Sequence, residues 1–241
     1  MKTLAKSVLL LCLFLGTSSV TSADLTTIVL QPGSVDGKDS MVSGAVPNLN
    51  YSPSTGNYFG TFERNQALHD GIYNANHSFS LYQFGMPSAL TGQEILSATF
   101  ELYICNNVIN TSGATGNKTL GANRITSNWD EWAVTWNTRP SEDTSVIKYS
   151  NNFYGYNTWA SFDVTDFVNG WVADPSSNYG MYVKDPWSTY YSYTCLQSSD
   201  FATASLRPKL TVTYNVVPEP CSMILFGLGG SALFLRRRMR K

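Results

Sequence analysis

The sequence predicts an all-β sandwich with one short helix, set between an N-terminal signal peptide and a C-terminal apolar helix. Most of the chain consists of short runs in which apolar and polar residues alternate, separated by Gly, Asn, Ser and Pro. This period of two is typical of strands that bury one face. A single stretch has helical spacing, and the apolar segments next to basic residues lie at the two ends. Residues 24–216, between those ends, have the length of one domain.

Residues 1–23 have the parts of a secretory signal peptide. Lys2 and Lys6 give a positive start, residues 8–15 are apolar, and small residues lead to Ala23. We predict cleavage by signal peptidase after Ala23. Retention as an anchor is the alternative, and it is disfavoured because the apolar segment is too short to span a bilayer.

The strands follow from the alternation. In "LSATFELYI", the clearest strand, one face is apolar and the other is polar. Its apolar set is Leu96, Ala98, Phe100, Leu102 and Ile104. Residues 209–214 alternate in the same way and form the last strand of the domain. The other predicted strands are residues 26–30, 79–84, 122–126, 133–136, 159–164, 180–184 and 191–196.

The one helical pattern is "DVTDFVNGWVADP", residues 163–175. Its apolar residues recur at intervals of three and four, which predicts a short helix at one end of the sandwich. Asp163 or Thr165 can cap its start, and Pro175 follows its end. We expect Trp171 to lie in the core rather than to form a ligand platform.

The charge of the domain differs from that of the whole chain. Residues 24–216 hold nine of the 16 Lys and Arg and sixteen of the 17 Asp and Glu, which gives a formal charge of −7, against −1 for the chain. An acidic domain argues against nucleic-acid binding, which needs a basic face. It offers an anionic polysaccharide no general attraction, so such a ligand would need a local basic patch or bridging cations.

Two cysteines, Cys105 and Cys195, belong to the domain. Export permits a disulfide between them. Two buried thiols are an equally good interpretation, because the sequence does not show how close the two residues lie.

The sequence offers little for catalysis. The chain has two histidines, His69 and His77, and it contains no nucleophile elbow, P-loop or zinc motif. Asp130 and Glu131 are adjacent, and neighbouring strand residues point to opposite faces, which does not suit a glycosidase pair. We interpret them as turn carboxylates that accept from backbone N–H groups. The domain is therefore predicted not to be an enzyme. Trp132, Val134 and Trp136, which follow, are expected to share a core face.

Aromatic residues are densest in "DPWSTYYSYT", residues 185–194. Sugar C–H faces stack on aromatic rings, so Trp187 and Tyr190 are candidate carbohydrate-binding residues, with Arg124 and Lys184 as polar partners. The alternative is that aromatic residues here are inward strand residues, above all Tyr191 and Tyr193.

Three aspartates are candidate ligands of a structural calcium ion. Asp36 and Asp39 lie near the first strand, and Asp200 lies near the last. Ca²⁺ prefers such oxygen ligands. Turn carboxylates are the alternative, and the EF-hand spacing is absent.

The last 25 residues, "VPEPCSMILFGLGGSALFLRRRMRK", resemble the PEP-CTERM sorting signal. Pro218, Glu219 and Pro220 precede an apolar helix over residues 221–235, and a basic tail follows at 236–241. The tail begins with Arg236, Arg237 and Arg238. The resemblance implies export by a Gram-negative bacterium, transient anchoring in the inner membrane and processing by an exosortase. Fifteen helical residues span about 22 Å, less than the roughly 30 Å bilayer core, so a permanent anchor is the weaker alternative.

The domain itself resembles the DNRLRE, or disaggregatase-related, domain, which is carbohydrate-binding module family 96. The similar stretches include "RITSNWDEWAVTWNTRP", "WASFDVTDFVNGWVADPSSNYGMYVK" and "SSDFATASLRPKLTVTY". The resemblance implies a jelly-roll sandwich that binds polysaccharide, with uronate polymers such as alginate among the ligands.

The sequence thus predicts an exported, non-catalytic polysaccharide-binding protein of the cell surface or the extracellular polymer matrix. A structural surface protein without glycan binding is the first alternative. A polysaccharide lyase or hydrolase that uses a Tyr/His or carboxylate site is the second.

Overall fold

A computed structural model describes residues 24–33, 35–51, 64–69, 77–108, 116–185 and 192–216, with the backbone alone for 64–69, 106–108 and 192–193. These residues are mostly β-strand with one helix, which confirms the predicted all-β sandwich. The elements are β1 (Asp24–Leu30), β2 (Lys38–Ser43), β3 (Arg64–His69), β4 (Ser78–Gln83), β5 (Glu94–Val108), β6 (Asn117–Lys118), β7 (Gly121–Arg124), β8 (Lys148–Tyr149), β9 (Phe153–Tyr154), β10 (Thr158–Asp163), α1 (Thr165–Ala173), β11 (Met181–Lys184), β12 (Ser192–Gln197) and β13 (Lys209–Val216).

One antiparallel sheet runs in the order β1-β13-β5-β12-β3-β4-β11-β7-β8, while β10 also pairs with β5 and β2 with β4. It folds over so that β1, β13, β5 and β10 form a first layer and β2, β4, β11 and β7 form a second. The inner side chains of both layers meet in the main core, where the rings of Phe100 and Phe162 stack 5.6 Å apart. The jelly-roll order of the strands stays a prediction.

Strand β5 buries one face, as its alternation predicts. Ala98, Phe100, Leu102 and Ile104 are all buried in the main core. Leu96 was expected to join them, but it is 44% exposed. The pairing with β13 shifts by one residue here, from Thr213 opposite Ser97 to Tyr214 opposite Ile95. The extra residue turns Leu96 outward, because a bulge reverses the alternation.

Helix α1 lies where the helical pattern predicts it. The N-cap is Val164, which makes no side-chain cap hydrogen bond, rather than Asp163 or Thr165 as predicted. Asp163 Oδ1 instead accepts from the backbone N–H of Thr165 (3.1 Å) and from its hydroxyl (2.6 Å) at the start of the helix. The hydroxyl oxygen of Thr165 also accepts from the backbone N–H of Ala98 (3.0 Å), which ties the helix to β5. Trp171 is 0% exposed, so the expectation that it is a core residue is confirmed.

A long segment, residues 127–143, covers the outer side of the second layer, and we call it the covering segment. Beneath it lies a second core that includes Val134 and Tyr182, with Phe79 and Trp136 packed against it. Asn50 holds the segment in place, because its amide donates to the carbonyls of Glu131 (3.0 Å) and Val134 (2.6 Å).

The predicted strand at 133–136 is wrong, because this part of the covering segment forms turns. The carbonyl of Asp130 accepts from the N–H groups of Ala133 (3.2 Å) and Val134 (2.8 Å), and its carboxylate accepts from that of Trp132 (2.9 Å). Asp130 is therefore the turn carboxylate that we predicted. The turn carries Trp132 outward, 55% exposed, so the expected core face of Trp132, Val134 and Trp136 loses its first member.

The two domain cysteines are not bridged. They lie on neighbouring strands at another irregularity, where Leu196 pairs with Ile104 and Cys195 pairs with Asn106. Cys195 is buried and Cys105 is half-buried. The structure therefore does not have the disulfide that was one of two interpretations.

Both termini fall outside the described residues, among them the signal peptide at 1–23 and the apolar helix predicted at 221–235. In the described ranges, no helix is long and apolar enough to cross a membrane.

Candidate functional sites

The solvent side of the first layer carries alternate residues of four paired strands, and we call it the outer face. The registers place these side chains in rows across the strands. Its members are Leu25, Thr27 and Val29 of β1, Lys209, Thr211, Thr213 and Asn215 of β13, Glu94, Ser97, Thr99, Glu101 and Tyr103 of β5, and Trp159, Ser161 and Asp163 of β10. Hydroxyl groups dominate its middle, and aromatic rings lie at one end.

That end holds an aromatic corner made by Glu101, Tyr103, Asn157, Trp159 and Lys209. The rings of Tyr103 and Trp159 meet edge to face across paired strands, with centroids 5.4 Å apart and planes at 72°. Lys209 Nζ lies 4.4 Å from the centroid of the Trp159 ring and 3.2 Å from Glu101 Oε2. The Tyr103 hydroxyl donates to Asn157 Oδ1 (3.3 Å). These contacts hold two rings and several polar groups in a defined arrangement next to solvent.

Two further tyrosines come shortly before Trp159 in the chain. Tyr154, the last residue of β9, is 67% exposed, and Tyr156, in the tight connection from β9 to β10, is 54% exposed. Gly155 has φ 69° and Asn157 has φ 58°, both in the left-handed region that Gly and Asn tolerate best. The connection thus presents two rings to solvent beside the end of β10. Rings with a polar tip suit a sugar, whose C–H face stacks while its hydroxyls form hydrogen bonds.

Of the four binding residues predicted from sequence, the structure describes Arg124 and Lys184. Trp187 and Tyr190 fall outside the described residues. Arg124 pairs with Asp143 (Nη2 to Oδ2, 3.1 Å) at the end of β7. Lys184 forms an ion pair with Glu142, and its Nζ lies 4.4 Å from the centroid of the Phe79 ring. Arg124 and Lys184 thus belong to the second layer, and the structure does not bring them to the outer face.

Burial lowers the pKa of Lys184, while its ion pair with Glu142 opposes that shift. Its side chain is 17% exposed, because most of it packs against the second core.

The outer face, in contrast, was not predicted as a site. The sequence placed Trp159 and Tyr103 in strands, but it held no signal that these strands pair with each other.

Three carboxylates converge where the covering segment meets β2 and the connection from β12 to β13. Oxygens of Asp39, Glu131 and Asp200 all lie within 4.8 Å of one another. Ser199 N–H donates to Asp39 Oδ2 (2.7 Å), and Asp39 N–H donates to Glu131 Oε1 (3.2 Å). Two of the three aspartates predicted to share calcium are thus brought together. The third, Asp36, instead accepts from the N–H of Gly33 (2.6 Å) within its own loop.

Glu131 was missed as a member of this cluster, because 92 positions separate it from Asp39 and the sequence placed it in a turn. Burial raises the pKa of Glu131 to about 7, and the charges of Asp39 and Asp200 add to this rise. Lys38 opposes it, although burial lowers the pKa of Lys38 itself. Converging carboxylates are ligands that Ca²⁺ prefers, so the calcium site stays a prediction, now centred on Asp39, Glu131 and Asp200.

Replacing Glu131 with glutamine should change the pH dependence of stability. Because the folded-state pKa lies above the ordinary 4.5, the native chain binds the extra proton between about pH 4.5 and 7. Stability therefore falls as pH rises through this window and stays lower above it. With a discount for partial exposure, Glu131→Gln should stabilise by about 1 kcal/mol at pH 8 and by little at pH 5. Urea unfolding in a chelator measures both values.

The exposed Glu94→Gln is the matched control and should change little at either pH. Equal effects of Glu131→Gln at pH 5 and pH 8 would contradict the assignment. Repeating the pH 8 measurement with Ca²⁺ checks the calcium prediction, which requires the ion to stabilise the wild type more than Glu131→Gln.

Comparison with known proteins identifies the domain. Residues 35–214, which hold the aromatic corner and the three carboxylates, match the profile of carbohydrate-binding module family 96. The chain belongs to carbohydrate-binding module family 96. Residues 216–239 match the PEP-CTERM protein-sorting motif, so both resemblances inferred from the sequence are confirmed.

Curated relatives of this family 96 module include much longer proteins. One is a tRNA3(Ser)-specific nuclease WapA of Bacillus spizizenii, 28% identical over 180 residues, or 74% of this chain and 7% of the relative. The tRNA nuclease WapA of Bacillus subtilis has the same identity and coverage. The chain therefore spans only a small part of these relatives.

Proposed function

We propose that this chain is an exported, non-catalytic protein that binds polysaccharide on its outer face. The observation that carries the proposal is the aromatic corner, where Tyr103 and Trp159 meet polar groups on a solvent-facing sheet. Membership of carbohydrate-binding module family 96 supports a carbohydrate ligand. A non-enzymatic role agrees with a site that offers stacking and hydrogen bonds. It also agrees with a sequence that contains no nucleophile elbow, P-loop or zinc motif.

Binding would combine two contributions. Tyr103 and Trp159 offer an aromatic surface on the sheet, and Tyr154 and Tyr156 offer exposed rings shortly before β10. Beyond them, Thr and Ser hydroxyls of three strands can exchange hydrogen bonds with sugar hydroxyls. Rigid strands hold these groups in place, which limits the entropy lost on binding.

The PEP-CTERM motif indicates export and sorting to the cell surface of a Gram-negative bacterium. We propose signal peptidase cleavage after Ala23, transient anchoring in the inner membrane through residues 221–235 and processing by an exosortase near Pro218, Glu219 and Pro220. Delivery to the cell surface or the extracellular polymer matrix would bring the jelly-roll domain to its polysaccharide.

Trp159→Ala should weaken polysaccharide binding by about 10-fold or more, since aromatic anchors carry much of the energy of binding sites. Affinity electrophoresis in gels that contain alginate, pectin, xylan or cellulose measures the retardation. Trp132→Ala removes an equally large ring from the covering segment on the other layer and should leave retardation unchanged.

Equal losses in both variants would contradict the site. Absence of retardation in every polymer would favour the structural surface protein. New reducing ends, or new absorbance from unsaturated uronates, would favour the lyase or hydrolase, and His69→Ala and His77→Ala would then test its site.

A further inference from the structure

The charged side chains of the outer face do not favour an anionic ligand. Among the described residues of this face, Lys209 is the one base, and Glu94, Glu101 and Asp163 are acids. The hydroxyl and the backbone N–H of Thr165 lower the pKa of Asp163, so it is ionised at neutral pH. The face therefore carries a net negative charge, on a domain that is itself acidic.

The single base is also already engaged. Lys209 Nζ lies 3.2 Å from Glu101 Oε2 and rests on the ring of Trp159. The nearest base along the chain, Arg207, donates its Nε–H to the carbonyl of Phe201 (2.7 Å), inside the connection before β13. A uronate carboxylate at the aromatic corner would have to displace Glu101 from Lys209. Asp163 adds a further negative charge four residues along β10 from Trp159. Recognition of repeated carboxylates normally uses unpaired Arg or Lys.

The uncharged groups of the face suit hydroxyl-rich ligands. Its rows include Ser161 beside Glu101, and Thr99 beside Thr211. Another row joins Thr27 and Thr213, whose hydroxyl oxygens lie 3.0 Å apart. A hydroxyl can donate and accept, as sugar hydroxyls do, and a carboxylate such as Glu101 accepts from a sugar hydroxyl.

We infer that the outer face selects an uncharged polysaccharide and rejects polyuronates such as alginate and polygalacturonate. The inference rests on the proposed function and names the ligand class of its site. Selection arises mainly by exclusion, because stacking on Tyr103 and Trp159 is available to any pyranose, whereas the excess of acids over bases on the face penalises an anionic one.

The test compares polymers that differ in charge. Affinity electrophoresis of the domain is run in xyloglucan, galactomannan and mixed-linkage glucan, and in alginate and polygalacturonate, at about 20 and 150 mM salt to vary screening. We expect retardation by at least one uncharged polymer, reduced by Trp159→Ala, and none by either polyuronate. Retardation by polyuronates alone, or equally by both classes, would overturn the inference and leave the proposed function standing. No retardation by any polymer would overturn both.

A charge variant tests the reason for the selection. Glu101→Gln releases Lys209 from its partner, so it should give measurable retardation in polyuronates at low salt, where the wild type shows none, and lose it at higher salt. Asp130→Asn changes the chain's charge by the same amount on the covering segment, and it should give no such gain. An equal gain in both variants would mean that overall charge decides, which would contradict selection by the face.

Discussion

Replacing Trp171 with alanine should lower the free energy of unfolding by about 3–5 kcal/mol, the usual cost of truncating a fully buried aromatic residue. Trp171 is 0% exposed and packs against Phe167, with ring centroids 6.1 Å apart. It belongs to the main core, so alanine leaves a cavity where α1 closes one end of the sandwich. Since domains are stable by only about 5–15 kcal/mol, the variant should be close to unfolding.

Two variants separate packing from general sensitivity to substitution. Trp132→Ala removes an exposed ring, and its effect should stay within about 0.5 kcal/mol. Trp171→Phe should cost half as much as alanine or less, because it leaves a smaller cavity. It also removes a buried indole N–H that has no hydrogen-bond partner among the described residues. Urea unfolding followed by circular dichroism compares all three. A cost for Trp171→Ala no larger than that for Trp132→Ala would show that the helix does not close the core.

Gly180→Ala should destabilise the domain by about 3 kcal/mol or more, because it combines backbone strain with a clash. Gly180 has φ 82°, which an L side chain rarely adopts. A Cβ at this position would press on the carbonyl oxygen of Tyr82 and lie 2.9 Å from the Cα of Gln83. Both are backbone atoms of β4, so no flexible side chain can move away. The carbonyl of Gly180 also accepts from the N–H of Ile125 (2.9 Å), the residue after β7, so a shift of Gly180 would also disturb this hydrogen bond.

Gly85→Ala is the matched control, since a Cβ there would meet nothing within 4 Å. Gly85→Ala should change the free energy of unfolding by no more than about 0.5 kcal/mol. A small stabilisation fits this expectation, because alanine reduces the entropy of the unfolded chain. The melting temperature and urea midpoint of the two variants measure the difference. Similar values for Gly180→Ala and Gly85→Ala would contradict the close approach of β11 to β4.

Local patterns predicted much of the fold. The alternation in β5 and β13 and the helical spacing of α1 depend on residues close in the chain, and both were confirmed. The predictions for Leu96 and for residues 133–136 were wrong, although the apolar pattern of both was compatible with a strand face. A bulge opposite β13 turns Leu96 outward, and a turn closed by Asp130 replaces the strand expected at 133–136.

The candidate sites depended on contacts that no local pattern encodes. Asp39 and Asp200 were predicted to meet because they lie near the first and last strands, but the covering segment also brings Glu131 to them. In the same way, Trp159 and Lys209 belong to strands far apart in the chain, and β5 lies between those strands.

By itself, the sequence predicted the signal peptide and the sorting tail. It determined the β character of the domain, the position of its helix and its acidity. It also carried the resemblance to carbohydrate-binding module family 96. The tertiary structure alone decided which rings and charges share the outer face, and that Lys184 belongs to the second core. The reason is that composition and periodicity act along the chain. A face is made by the register between strands distant in sequence, and a shift of one residue would turn each side chain to the other side.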